Sequence, residues 1–254
     1  MRENMQRPEA ETDGVIEGRN AVTEALRSGT AIDKIYLAKG ETDRTLSRIA
    51  AEARKAGAVV VETDRRKLDA MSLTHSHQGI IAIAAVRAYA EVEDILGIAE
   101  ARGERPLLVV CDEISDPHNL GAIIRTAECA GAHGVIIPKR RSAGLTAVVA
   151  KTSAGAVSHL PVARVANLPS LLKQLKKEGL WIFGAAADGP VSLYEADLKG
   201  PAAIVIGSEG SGMSRLVAET CDVLVRIPMK GKLNSLNASA AAAILLYEAV
   251  RQRL

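Results

Sequence analysis

Three stretches that lie far apart along this 254-residue sequence carry the side chains whose types and spacing best suit chemistry. The first is DPHNLGAIIRTAECAG, residues 116–131. Pro117 and Asn119 are residues that open helices, and Asp116 or Asn119 can accept from the free amides of a first turn. Arg125 follows six residues after Asn119, among Ile123, Ile124, Ala127 and Ala130. A single guanidinium on so apolar a helix faces a carboxylate, a phosphate or solvent.

The second stretch, IVIGSEGSGMS at 204–214, places Gly207, Gly210 and Gly212 directly after an apolar run. Glycine lets backbone come close to a ligand and adopt positive φ. The spacing matches neither the dinucleotide fingerprint, nor the Walker loop, nor the nucleophile elbow. A tight turn and a ligand cradle are both open from these residues alone. Glu209 adds a carboxylate able to hold a helix start or a donor on a substrate. The third stretch, RIPMKGKLNSLNASAAAAILLYEAV at 226–250, ends a strand at Pro228 and opens the last helix at Ser235 to Asn237. Free amides there suit a partly negative or hydrogen-bonding ligand. The alanines at 238 and 240–243 admit close approach of neighbouring backbone, or simply favour helix.

Other polar residues carry weaker signals. His75 and His77 form an H-x-H without a third ligand nearby, which reads as a loop facing RNA or solvent rather than a metal site. His118 reads as a solvated loop residue beside a possible substrate. The basic runs Lys139, Arg140, Arg141 and Arg65, Arg66, Lys67, with Lys230 and Lys232, suit either a solvated face or a phosphate backbone.

These residues need a frame, and the hydrophobic pattern supplies one. Strands are predicted at 32–38, 58–62 and 79–86, with helices at 20–28, 43–56 and 65–73 between them. From residue 107 the strand candidates are LLVVCD, GVIIP (134–138), LPVARV (160–165), LWIFGAA (180–186), AAIVIG (202–207) and VLVRIP (223–228), with helices between most of them. Continuous apolar strands with helical crossovers predict an α/β fold with a parallel sheet covered on both faces. Ligands bind beyond the carboxyl ends of such strands, which points to the loops after Asp112, Gly207 and Pro228. The expected division is a tail at 1–13, a small α/β domain at 14–87, a charged linker at 88–105 and a second domain at 106–254.

Composition narrows the classes. At 48% hydrophobic and 24% charged, the chain is an ordinary globule long enough for two domains. The apolar run at 238–247 is too short to cross a membrane, and the opening MRENMQRPEAETDG lacks a secretion signal. The net charge is +2, spread evenly, so a nucleic-acid partner would need a local patch. One Trp, four Tyr and one Phe argue against recognition by aromatic stacking platforms. Cys111, Cys129 and Cys221, with no C-x-x-C, predict a reduced, cytoplasmic setting and packing roles.

Taken together and in this order, the three stretches resemble the signature motifs of the SpoU, or TrmH-type, RNA ribose 2′-O-methyltransferases of the SPOUT superfamily. The matching residues are N-L-G-x-x-x-R at 119–125, I-G-S-E-G-x-G at 206–212 and I-P-M…S-L-N at 227–237. The first part resembles the L30e/L7Ae-like RNA substrate-binding domain found in front of this catalytic domain, through E-G-R-N-A-V at 17–22 and H-Q-G-I at 77–80. The two-part layout is most similar to the bacterial enzymes that methylate a guanosine ribose of 23S ribosomal RNA.

The resemblance implies a trefoil-knotted catalytic domain, S-adenosylmethionine as methyl donor, no metal, and a homodimer. It puts Gly207, Ile227 and Leu236 at cofactor positions, and Asn119, Arg125, Glu209, Ser235 and Asn237 at catalytic or substrate positions. Methyl transfer is an in-line displacement in which positioning dominates, and the attacking hydroxyl must lose its proton. Arginine, with a pKa above about 12, is a poor base, so Arg125 is expected to stabilise the developing alkoxide and the adjacent phosphate. Two rivals stand beside this reading: methylation of another ribosomal nucleotide or of transfer RNA, and a non-catalytic RNA-binding or assembly protein on the same fold. A Rossmann methyltransferase would carry its glycine loop early, whereas here it comes late.

Overall fold

The computed structural model describes residues 14–40 and 43–254. The tail expected at 1–13 lies outside the described residues. The chain divides into two compact units, one of residues 14–88 with 144–151, the other of 89–143 with 152–254.

In the N-terminal unit the order is β1 (Val15–Glu17), α1 (Arg19–Arg27), β2 (Ile32–Ala38), α2 (Arg44–Lys55), β3 (Val59–Thr63), α3 (Arg65–Met71) and β4 (Ile80–Ala84). The sheet order is β1-β4-β2-β3, with β4 antiparallel to both neighbours and β2 parallel to β3. Alternation along β2 sends Ile35 and Leu37 to one face, where they pack with Val22, Leu46 and Ile49 of α1 and α2. Ala38 and Tyr36 meet Leu68 and Met71 of α3 on the other. β1 was not expected from the sequence; three half-buried residues carry too short an alternation to register.

The two N-terminal signature stretches interlock in this unit. The Glu17 carboxylate accepts from Ser72 Oγ (2.6 Å), Thr74 Oγ1 (3.0 Å) and the Leu73 and Thr74 amides. Burial pushes its pKa up, but these hydrogen bonds outweigh burial and hold it below the usual range. Arg19 donates to the Gln78 carbonyl (3.2 Å) and pairs with Asp43. His77 faces neither RNA nor solvent: it is 2% exposed. Its Nδ1 accepts from the Gly79 amide (3.0 Å), which leaves Nε2 to donate to Asp69 (2.9 Å). A histidine two residues before a turn glycine is filled by local backbone bonding, which the H-x-H spacing does not reveal.

The C-terminal unit contains α4 (Val92–Arg102), β5 (Leu107–Cys111), α5 (Pro117–Cys129) and β6 (Gly134–Pro138). After α6 (Ala147–Thr152), nearly all of which groups with the N-terminal unit, come β7 (Val162–Val165), α7 (Leu168–Lys177), β8 (Trp181–Ala185), β9 (Val191–Ser192), β10 (Ala202–Ile206), α8 (Arg215–Thr220), β11 (Val223–Arg226) and α9 (Ala238–Arg253). Seven parallel strands pair in the order β7-β6-β5-β10-β8-β11-β9. Val109, Val110, Ile204 and Val205 in its centre are fully buried, as strands covered on both faces require. From β5 the chain runs to one edge through β6 and β7, then returns to the other side with β8, so the order reverses around β5 and β10. That reversal opens a crevice at the carboxyl ends of the strands.

Within the stretch 88–105 that the composition marks as a linker, residues 92–102 form α4, whose Val92 and Ile95 enter the core beside Leu108 and Ile136. Val92, Ile95, Leu96 and Ala99 follow helical spacing, but five charged residues of 91–102 hide that period in the composition. Asp94 accepts from the Glu91 amide (3.2 Å) at the helix start, and Gly103 closes it at φ +64°. The last helix also starts later than expected, at Ala238, because Asn237 caps it. Strand β11 stops at Arg226, before the proline that cannot donate to a ladder.

Candidate functional site

Three side chains from the three distant stretches meet at the carboxyl edge of the seven-stranded sheet. Asn119 lies in the first turn of α5, which is opened by Asp116 accepting from the His118 amide (3.0 Å) and by Pro117. Its Nδ2 donates to Glu209 Oε1 (3.1 Å). Asn237 caps α9: its Oδ1 accepts from the Ser239 and Ala240 amides (3.0 and 3.2 Å). That fixes the other end of the amide, and Asn237 Nδ2 donates to Asn119 Oδ1 (2.8 Å) and to Glu209 Oε1. Two helix starts and one turn are thereby joined by a closed ring of three polar side chains. Among the described residues, Glu209 uses Oε1 alone, which leaves Oε2 for a further donor.

The turn that carries Glu209 is rigid. Ser208 and Gly212 exchange both backbone hydrogen bonds (3.0 and 2.8 Å), and Ser208 Oγ meets Ser211 Oγ (2.8 Å). A Cβ on Gly207 would sit 2.2 Å from the Gly212 carbonyl carbon and the Met213 nitrogen, so only glycine fits there. Asp112, 4% exposed at the end of β5, accepts from the Ser214 amide (2.6 Å) and ties the turn to the neighbouring strand.

Beside this ring lies a cleft of about 530 Å³. Its walls come from the loops after β8, β10 and β11 and from the first turn of α9. Gly207, Ile227 and Leu236 all line it, as do Glu209 and Ser235. Backbone-rich glycine and alanine walls with Met213, Leu224, Met229 and Leu236 suit a flat aromatic base and an apolar chain. The lining contains no lysine, arginine or histidine, so a cationic ligand meets no like charge from it. An adenosyl sulfonium fits this chemistry.

Arg125 is not in the ring. It is exposed on α5 and has no hydrogen-bond or ion-pair partner among the described residues. Six residues carry it about two-thirds of a turn around the helix from Asn119. Of the loop candidates, His118 is exposed; Lys139 and Arg140 are exposed, while Arg141 pairs with Glu113 (2.9 Å). Arg65, Arg66 and Lys67 are exposed, and Lys67 lies 5.4 Å from the Tyr36 ring centre. Burial pushes the Cys111 and Cys221 thiols up to about 12, consistent with packing, whereas Cys129 is exposed on α5 and fills no core. Among the described residues no three His, Cys, Asp or Glu are grouped to hold a metal ion, and no helix is long and apolar enough to cross a membrane. Sequence reasoning missed Asp112 as a brace and the loop after β8, with Asp188, as a cleft wall. The second was findable, since LWIFGAA is a strand whose carboxyl end also opens on this edge.

A parallel-sheet α/β unit with a glycine-walled cleft beside a polar ring at its carboxyl edge suits an enzyme that binds its ligand beyond the strand ends. The comparisons with known proteins specify which. Residues 106–247 match the family model described as SpoU rRNA Methylase family, and residues 15–90 match the model for RNA 2′-O ribose methyltransferase substrate binding. A Bacillus subtilis protein named for the TrmH family of tRNA/rRNA methyltransferases, YacO, is 46% identical over 93% of this chain and 94% of its own length. The 23S rRNA (guanosine-2′-O-)-methyltransferase RlmB of Ralstonia nicotianae is 44% identical over 93% of this chain and 94% of its own. Among solved structures, the SpoU methyltransferase AviRb of Streptomyces viridochromogenes in complex with AdoMet has a TM-score of 0.60 at 25% identity, covering 94% of this chain and 89% of that one.

The chain belongs to the SpoU/TrmH family of RNA methyltransferases, whose cofactor is S-adenosylmethionine.

Proposed function

We propose that the protein transfers a methyl group from S-adenosylmethionine to a ribose 2′-hydroxyl of RNA, and that the target is a guanosine of 23S ribosomal RNA. The ring of Asn119, Glu209 and Asn237 at the mouth of the cleft carries this reading. The guanosine target is supported by the RlmB relative at 44% identity. The TrmH-family relatives favour a second reading, another ribosomal nucleotide or a transfer RNA ribose.

When bound, the cofactor supplies an electrophilic methyl on a sulfonium. Everything else is the work of the chain's own residues. Gly207, Ile227 and Leu236 wall the cofactor; Asn119, Glu209, Ser235 and Asn237 place the ribose, with Glu209 Oε2 open to one hydroxyl. Arg125, exposed and without a partner among the described residues, stabilises the developing alkoxide and the adjacent phosphate, as a guanidinium does without accepting a proton. A protein kept only for RNA binding has no need of this ring beside a cleft suited to the donor.

The same reading extends to the rest of the chain. The N-terminal unit is taken as an L30e/L7Ae-like RNA substrate-binding domain of residues 14–87, and the catalytic unit as a trefoil-knotted homodimer acting in the cytoplasm. The alanine-rich start of α9 supports a crowded crossing there. Transfer of labelled methyl from the donor to ribosomal RNA and to transfer RNA tests the target. Label confined to 23S RNA supports the first reading, and label confined to transfer RNA replaces it by the second.

A further inference from the structure

The cleft holds a second carboxylate that the family motifs do not contain. Asp188 lines it from the loop after β8. That loop is fixed: the Ala186 amide donates to the Val225 carbonyl (2.9 Å), and the Gly189 amide to the Ala186 carbonyl (3.1 Å). Arg226 donates to the Gly189 and Pro190 carbonyls (2.8 and 2.5 Å), and a Cβ on Gly189 would press on β11 backbone at 2.9 Å. Asp188 is therefore presented on a pinned turn, exposed, with no hydrogen-bond or ion-pair partner among the described residues.

Glu209, the other acid of the lining, is engaged by two amides, and no basic side chain lines the cleft. The donor carries a sulfonium and an ammonium against one carboxylate; after transfer the sulfur is neutral. We propose that Asp188 is a specificity-determining residue of the cofactor cleft, its charge favouring the cationic methyl donor over the uncharged-sulfur product. This rests on reading the cleft as the donor site.

Calorimetric titration of the full chain with S-adenosylmethionine and with S-adenosylhomocysteine tests it. Asp188→Asn, of the same shape at an exposed position, is expected to weaken the donor roughly tenfold and the product less than about twofold, the scale of one partly screened charge pair. Asp188→Glu restores the preference. In the unaltered protein, raising salt from low to about 0.5 M narrows the donor preference as the charges are screened. Equal losses for both ligands, or none for either, overturn the proposal while the cleft remains the donor site. A chain that binds neither ligand before any substitution overturns both.

Discussion

Asn237 Nδ2 lies 2.8 Å from Asn119 Oδ1, across 118 residues of chain. The same Asn237 caps α9 through Oδ1, so one side chain fixes a helix start and closes the site at once. On the proposed function, stability and activity are coupled at this residue, and substitutions can separate them.

Asn237→Ala removes the cap and leaves the Glu209 carboxylate with one amide. Loss of the cap costs about 1 kcal/mol, which for a chain of this size lowers the melting midpoint by roughly 2–4 °C. Asn237→Asp keeps the capping oxygen but sets a carboxylate against Glu209. Methyl transfer is expected to fall in both, while the cap contribution to melting is lost only in the alanine variant. Thermal melts paired with transfer assays read the split.

Within the glycine turn, two neighbouring substitutions should behave differently. Gly207→Ala drives a Cβ to 2.2 Å from backbone, so the turn must shift and donor binding should fall more than about tenfold. Gly210→Ala meets no protein atom within 4 Å, so the turn keeps its shape and the loss of donor binding should be much smaller than for Gly207→Ala. Titration of both variants with S-adenosylmethionine checks the contrast.

Arg125→Lys keeps a positive charge but loses the planar fork. Because the side chain is exposed, melting should be unchanged, while transfer falls roughly a hundredfold, as for loss of one transition-state donor. Full activity in this variant removes Arg125 from the proposed chemistry.

Near the other end of α9, Glu248 accepts from Arg251 (2.7 and 2.9 Å) and Gln252 (2.7 Å). The Arg251 hydrogen bonds, against the opposing effect of burial, hold its carboxyl at about 2 rather than 4.5. A folded pKa below the unfolded one gives stability that is present above pH 4.5 and lost as pH falls toward 2. Glu248→Gln should flatten the melting profile over that window.

The sheet, most of its helices and the three motif stretches were legible because long apolar runs and glycine or asparagine at strand ends are local signals. Gly207, Ile227 and Leu236, the positions expected to hold the cofactor, line a single cleft, and Asn119, Glu209 and Asn237 touch, although no local pattern gives their distances. What stayed hidden is non-local. The helix Val92–Arg102 buries its apolar stripe under charged neighbours, and His77 is buried by partners eight residues before and two after it. Residues 144–151 group with the N-terminal unit despite their place in the chain. Asp188 had no motif to announce it; only the strand that carries its loop to the cleft does so.

The most direct test is to incubate the purified chain with labelled S-adenosylmethionine and unmodified 23S RNA, then digest the RNA with alkali. A 2′-O-methyl group blocks the neighbouring oxygen from attacking its phosphate. The label should therefore emerge in an alkali-resistant dinucleotide containing guanosine, and vanish with Asn119→Ala. Label released on a single nucleotide, as from a methylated base, or absent from the RNA altogether, would contradict ribose methylation at this site.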